Sequence, residues 1–305
     1  MKDVIYNNLT LNELNDQYNN LTYYSIKIGN NLTTKEYVKL YTDLSDKILN
    51  SNFISKIDLK YGNHVMNRID FFRPLEENDN HKLIIWLHGG NWGNVQISTK
   101  EINTFVANGP LKNGFHFASV EYPFNGEDAI LKDKPIKNSG GSSLSDIIND
   151  VHKAINFIIE YATTNLNIDT DDIYLCGHSA GAHLSCLEIL KNNIIKKGIF
   201  ISLISDLKPI SLTYLNNNLK LTKTDNIKFS PILNNIPPDC KFLIINGSIE
   251  TSEFKRQSYI FYKKCKNDNI DCQHIELEGH GHLSILLELA KVDGIIIKYI
   301  INLTK

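Results

Sequence analysis

The segment that most constrains this chain runs from Ile173 to His183, Ile-Tyr-Leu-Cys-Gly-His-Ser-Ala-Gly-Ala-His. An apolar strand candidate, Ile173–Cys176, enters a G-x-S-x-G pentapeptide and leaves it as a helix candidate over Ala182–Leu190. A strand that turns this sharply into a helix brings two stretches of backbone close together, so small residues are needed around the turn. Gly177 and Gly181 supply that room and leave Ser179 at the tip. The helix that follows has free N–H groups at its start, and Ala180 is positioned to offer one to developing negative charge beside Ser179.

The same alternation of strand and helix continues along the chain. Ile57–Tyr61 and Asn67–Phe72 read as an antiparallel hairpin around Gly62-Asn63, and Lys82–Leu87 as a strand apolar on both faces. Strands follow at Phe115–Tyr122, Gly198–Leu203, Phe242–Asn246 and Cys272–Leu277. Helices follow at Leu144–Tyr161, Glu253–Cys265 and Ser284–Ile301. The rhythm predicts an α/β fold, a mostly parallel central sheet flanked by helices, in one domain over 1–305. Residues 1–50 read as an N-terminal helical arm, because Tyr37, Leu40, Leu44 and Ile48 recur at helical spacing. The spacing fits both a cap over a site and an extension packed outside. Segments 123–143 and 206–238 interrupt the rhythm and read as lid-like insertions.

Three further positions belong with Ser179. Leu87-His88-Gly89-Gly90-Asn91-Trp92 follows a buried strand, where backbone N–H groups of Gly90 and Asn91, with Gly89, can form the rest of an oxyanion hole. The base is expected late in the chain, at His282, with His280 as the alternate. The acid is expected after strand Phe242–Asn246. Glu250 fits there, Glu253 is explained by the first turn of a helix, and Asp206 is an alternate. Asp146 and Asp150 read as helix surface, and His183 as a satisfied core histidine.

Composition excludes several other classes. The 32 basic and 34 acidic residues leave a net charge of -2, without a basic stripe for nucleic acid. No apolar run is long enough to span a membrane, and the polar start Met1-Lys2-Asp3-Val4 does not read as a signal peptide, so a cytoplasmic protein is expected. The Asn-x-Thr triplets at Asn8, Asn20, Asn31 and Asn302 then read as products of an Asn-rich composition. The five cysteines are scattered without metal spacing and are expected as reduced thiols. No cofactor or metal is expected. The expected partner is a small-molecule substrate, and a homo-oligomer is compatible with the sequence.

These residues resemble the kynurenine formamidase (arylformamidase) family of α/β-hydrolases. The resemblance rests on Leu14-Asn15-Asp16-Gln17-Tyr18, the His-Gly-Gly loop, Tyr174–Leu184, Ser230-Pro231 and Ser252–Ser258, and runs over most of residues 10–300. It implies hydrolysis of an N-formyl aryl amide by Ser179, Glu250 and His282, with Trp92 and His88 beside the substrate. The sequence departs from the family pattern at Glu250, where the family has Asp, at Asn91, where an aromatic residue is common, and in segment 123–143. Two other readings remain: a carboxylesterase of the hormone-sensitive-lipase type, and a non-catalytic binding protein on a hydrolase scaffold.

Overall fold

The computed structural model describes residues 4–19, 32–76, 82–94, 98–126, 129–131, 134–136 and 141–303. The triplets at Asn20 and Asn31 and much of segment 123–143 therefore lie outside the described residues. An eight-stranded sheet organises the rest. Its strands in chain order are β1 (Ile54–Lys60), β2 (Arg68–Phe72), β3 (Lys82–Leu87), β4 (Phe115–Glu121), β5 (Ile173–His178), β6 (Lys197–Ile201), β7 (Lys241–Gly247) and β8 (Asp271–Leu277). Their spatial order is β8-β7-β6-β5-β3-β4-β2-β1. The pairs β1–β2 and β2–β4 are antiparallel, and every other pair is parallel.

Alternation along the strands divides the core into two layers. On β3, Leu83, Ile85 and Leu87 face one layer, and Ile84 and Trp86 face the other. The main helices are α1 (Leu11–Gln17), α2 (Thr34–Leu49), α3 (Leu144–Asn165), α4 (Ala180–Asn192), α5 (Ser252–Asn267) and α6 (Ile295–Leu303). The first layer takes Ile147, Val151, Ile155 and Ile158 of α3, the elbow helix α4, and Phe254 and Phe261 of α5. The second takes Tyr37, Tyr41 and Ile48 of α2, together with Ile296, Ile297 and Ile300 of α6. The rows Leu144–Ile158 and Tyr37–Ile48 are each a stripe at helical spacing, which is why each helix turns one face to the sheet.

One helical expectation is corrected. The long C-terminal helix over Ser284–Ile301 is broken into a 3-10 turn at Ser284–Leu286, a short helix at Leu287–Ala290, and α6. Gly294 lies so close to the Glu288 carbonyl that a Cβ would stand 2.1 Å from it, and the Glu288 carboxylate accepts the Ile295 N–H at 3.0 Å, so the chain restarts rather than continues. Segment 206–238, which interrupts the strand–helix rhythm, has secondary structure of its own. It carries helices at Leu207–Ile210, Asn216–Leu219 and Lys223–Phe229, begun by short polar caps at Asp206 and Thr222 for the first and third.

Beside β2 sits a buried ionic cluster. Lys100 is 1% exposed, and its ammonium meets Asp70 at 2.7 Å, Asp58 at 2.9 Å and Glu101 at 3.1 Å. Removing one member of a buried charge group strands its partners, which typically costs about 3–5 kcal/mol. Lys100→Met is therefore expected to lower stability by about that amount in urea unfolding followed by circular dichroism. An unchanged midpoint would show that the cluster contributes little.

Candidate active site

All the motif residues converge at the carboxyl ends of the strands, around neighbouring β3 and β5. Ser179 follows β5 and caps α4 with φ 55° and ψ −118°, a region that L-residues avoid. The surrounding backbone enforces it. A Cβ on Gly181 would lie 2.0 Å from the Leu87 carbonyl oxygen, and one on Gly177 would lie 2.3 Å from that of Gly181. The first intrahelical bond runs from the His183 N–H to the Ser179 carbonyl, so the N–H of Ala180 has no partner within its own helix. Gly90 and Asn91 hold left-handed backbone, with φ of 105° and 53°, and a Cβ on Gly89 would reach the Ser179 Cβ at 3.4 Å. Gly89, Gly90, Asn91 and Ala180 thus lie around the serine.

The histidine and acid come from neighbouring turns. His282 Nδ1 lies 3.3 Å from Glu250 Oε2. Glu250 Oε1 accepts from the Ser202 hydroxyl at 2.6 Å and from the Gly247 N–H at 2.9 Å. With a carboxylate opposite it, Nδ1 is the protonated nitrogen, so Nε2 keeps its lone pair for a proton. The imidazole lies between the His178 ring, centroids 4.5 Å apart, and the Phe254 ring at 4.4 Å. His178 Nε2 donates to the His282 carbonyl at 2.9 Å, and the Tyr41 hydroxyl donates to the Leu283 carbonyl at 2.6 Å. No hydrogen bond joins Ser179 to His282 among the described residues.

The alternates point elsewhere. Glu253 is bonded to Arg256 at 2.8 Å and faces the Tyr18 hydroxyl, and Asp206 caps Lys208 and meets Tyr6. His280 lies 3.7 Å from Glu288. Asp146 caps α3, and Asp150 pairs with Lys153. His183 is a core residue: it donates to the Phe229 carbonyl at 2.8 Å and accepts from Trp92 Nε1 at 3.3 Å.

Ser179, His178 and His282 line one cavity of about 250 Å³, together with Gly89, Gly90 and Asn91. Tyr18, Tyr37, Tyr41 and Tyr214 form its aromatic wall. The arm therefore reaches the cavity through Tyr18, Tyr37 and Tyr41, and segment 206–238 reaches it through Tyr214. No described residue of segment 123–143 lines it. Two expectations fail here. Trp92, itself at φ 58°, turns its indole into the core and is 1% exposed. His88 is held behind the loop by Glu121 at 2.9 Å and is stacked on Tyr122. Neither lines the cavity. Tyr37, Tyr41, Tyr214 and Ser202 carry no local motif. Only the helical spacing around Tyr37 and the family-like segment Leu14–Tyr18 hinted at any tyrosine of the wall.

A family model described as BD-FAE matches residues 69–239, more than half of the chain. The chain belongs to the BD-FAE family. The kynurenine formamidase of Danio rerio is 24% identical over 259 residues, covering 81% of each chain. That of Salmo salar is 26% identical over 252 residues, covering 78% of this chain and 77% of its own. Among solved structures, a candidate thioesterase from Silicibacter is similar with a TM-score of 0.73 at 22% identity, covering 94% of this chain and 98% of that one. An arylesterase follows at a TM-score of 0.64 and 17% identity, covering 95% and 98%. The fold is that of the α/β-hydrolases. Among the described residues no helix is long and apolar enough to cross a membrane, and no cluster of acidic, His or Cys side chains is disposed to hold a metal.

Burial pushes the pKa of His183 down to about 4, and that of His178 well below the usual histidine range, the latter with help from neighbouring His282. An unfolded histidine titrates near about 6.5, so between that pH and about 4 the unfolded chain binds more protons than the folded one. Stability is accordingly expected to fall as pH drops through this window. His183→Gln should flatten the fall in urea midpoints between pH 7 and 4.5. A variant as steep as the parent would show that burial of this imidazole is not felt.

Proposed function

We propose that this hydrolase works through an acyl-enzyme on Ser179, with His282 as base and Glu250 as its orienting acid. The observation that carries the reading is the strained Ser179 elbow sharing one cavity with an imidazole whose Nδ1 faces a buried carboxylate. In the proposed cycle Ser179 Oγ attacks the substrate carbonyl and its proton passes to His282 Nε2. The N–H groups of Ala180 and of the Gly90-Asn91 turn take the oxyanion. The bond to the leaving group breaks as His282 returns the proton to it, and water then hydrolyses the acyl-serine by the same relay.

The substrate we propose is a small aryl formamide such as N-formyl-kynurenine, cleaved to formate and the aryl amine. Support comes from the formamidase relatives at 24% and 26% identity and from the tyrosine wall, which suits an aromatic ring. A second reading, a small neutral ester, is favoured by one observation: the described lining residues include no Lys or Arg to meet a substrate carboxylate.

Ser179→Ala is expected to abolish both fluorophosphonate labelling and turnover while the fold persists. Glu250→Gln should lower kcat by about 10⁴, the usual effect of losing a triad acid. Wild-type enzyme assayed on N-formyl-kynurenine beside short acyl esters decides the substrate. Good ester turnover with no formamide cleavage would replace the formamidase reading, and normal turnover by the alanine variant would end the serine mechanism.

A further inference from the structure

The floor of the cavity holds an acceptor that the chemistry above does not use. Asn103 ends the short helix Lys100–Asn103, is 2% exposed and lines the cavity with Ser179. Its Nδ2 lies 3.0 Å from the Thr99 carbonyl oxygen and 3.0 Å from Ser98 Oγ. A carbonyl oxygen can only accept, so the amide nitrogen must face Thr99 and the group cannot be turned over. Oδ1 then points away from both partners. Among the described residues no group donates a hydrogen bond to it, yet it is not among their polar atoms sealed from solvent. A side chain this buried, pinned by its nitrogen and open at its oxygen, presents a fixed acceptor to the cavity. Such an atom is disfavoured unless water or a ligand supplies the donor.

The position of this acceptor relates it to the reacting centre. A Cβ on Gly90 would lie 3.0 Å from the Ser98 Cβ, so the Ser98–Asn103 pair stands directly behind the oxyanion turn. We propose that Asn103 is a specificity residue whose Oδ1 accepts an N–H carried by the leaving group of the substrate. The inference rests on the serine-hydrolase reading of this cavity. With an acyl group as small as formyl or acetyl, whatever reaches Asn103 belongs to the leaving group. A site built to bond a substrate N–H disfavours the analogue that lacks it, because the buried acceptor is then left unpaired.

The test uses acetates, so that its outcome does not depend on formamide cleavage. The 3- and 4-aminophenyl acetates are compared with the 3- and 4-methylphenyl acetates, which match them in size but lack the N–H. Intrinsic reactivity cancels when each amino-to-methyl ratio of kcat/KM is compared between enzymes. Wild type is expected to prefer the amino ester at one or both positions. Asn103→Leu should lower that preference roughly tenfold, mainly through KM. Asn103→Asp, which keeps an oxygen acceptor, should retain it. Fluorophosphonate labelling of Ser179 in each variant reports an intact site, and if the leucine variant does not label, Asn103→Ala carries the same readout. Equal amino-to-methyl ratios in wild type and a labelled variant at both positions would overturn the proposal. Absence of labelling in the wild type would instead overturn the serine-hydrolase reading beneath it.

Discussion

The site depends on a backbone crossing. Where β5 turns into α4, the chain passes so near the end of β3 that Gly181 leaves no space for a side chain beside the Leu87 and His88 carbonyls. That contact holds Ser179 in its disfavoured conformation and sets the start of α4 beside the His88–Asn91 loop. A strained residue persists only where its surroundings overdetermine it. Here the sheet does so, through the Ser179 N–H bonded to Ile201 of β6 at 2.9 Å and through the parallel registers of β3, β5 and β6.

The acid illustrates a different economy of structure. Glutamate is one methylene longer than aspartate, and its carboxylate must still meet the imidazole. Glu250 is anchored on one oxygen by the Gly247 N–H and by Ser202, which leaves the other for His282. Ser202 stands at φ 54° just beyond β6, and its own N–H is tied to Ile245 of β7 at 2.7 Å. The carboxylate is thereby referenced to two strands of the sheet, and the longer side chain gains no freedom from its length.

What could be read in the sequence was what local pattern encodes. The two-faced apolar runs of β3 and β5, the glycines of the elbow and the amphipathic stripe of α3 each carry their physical reason in a few consecutive residues, and the strands fell where periodicity placed them. The aromatic wall was not legible, because Tyr18, Tyr37, Tyr41 and Tyr214 meet only after distant segments pack. Trp92 was misplaced for a related reason. Its position beside the glycine loop suggested the cavity, but a left-handed backbone at Asn91 and Trp92 reverses the direction of the side chain. Segment 206–238 looked irregular because its helices are only four to seven residues long, too short to show a period.

Gln17 and Tyr18 of the N-terminal arm meet the start of α5. The Gln17 carbonyl accepts from the Thr251 hydroxyl at 2.7 Å, and the Gln17 side chain accepts from Ser252 and from the N–H of Glu253. Tyr18 accepts from Gln257 and packs edge-on against Phe254, whose ring lies on His282. Helix α5 is thus capped by residues made more than two hundred positions earlier. These contacts of Gln17 and Tyr18 cannot form during synthesis until the segment through Gln257 has left the ribosome. A nascent fragment that carries Ser179 but not yet His282 and the residues that hold Tyr18 has no finished pocket.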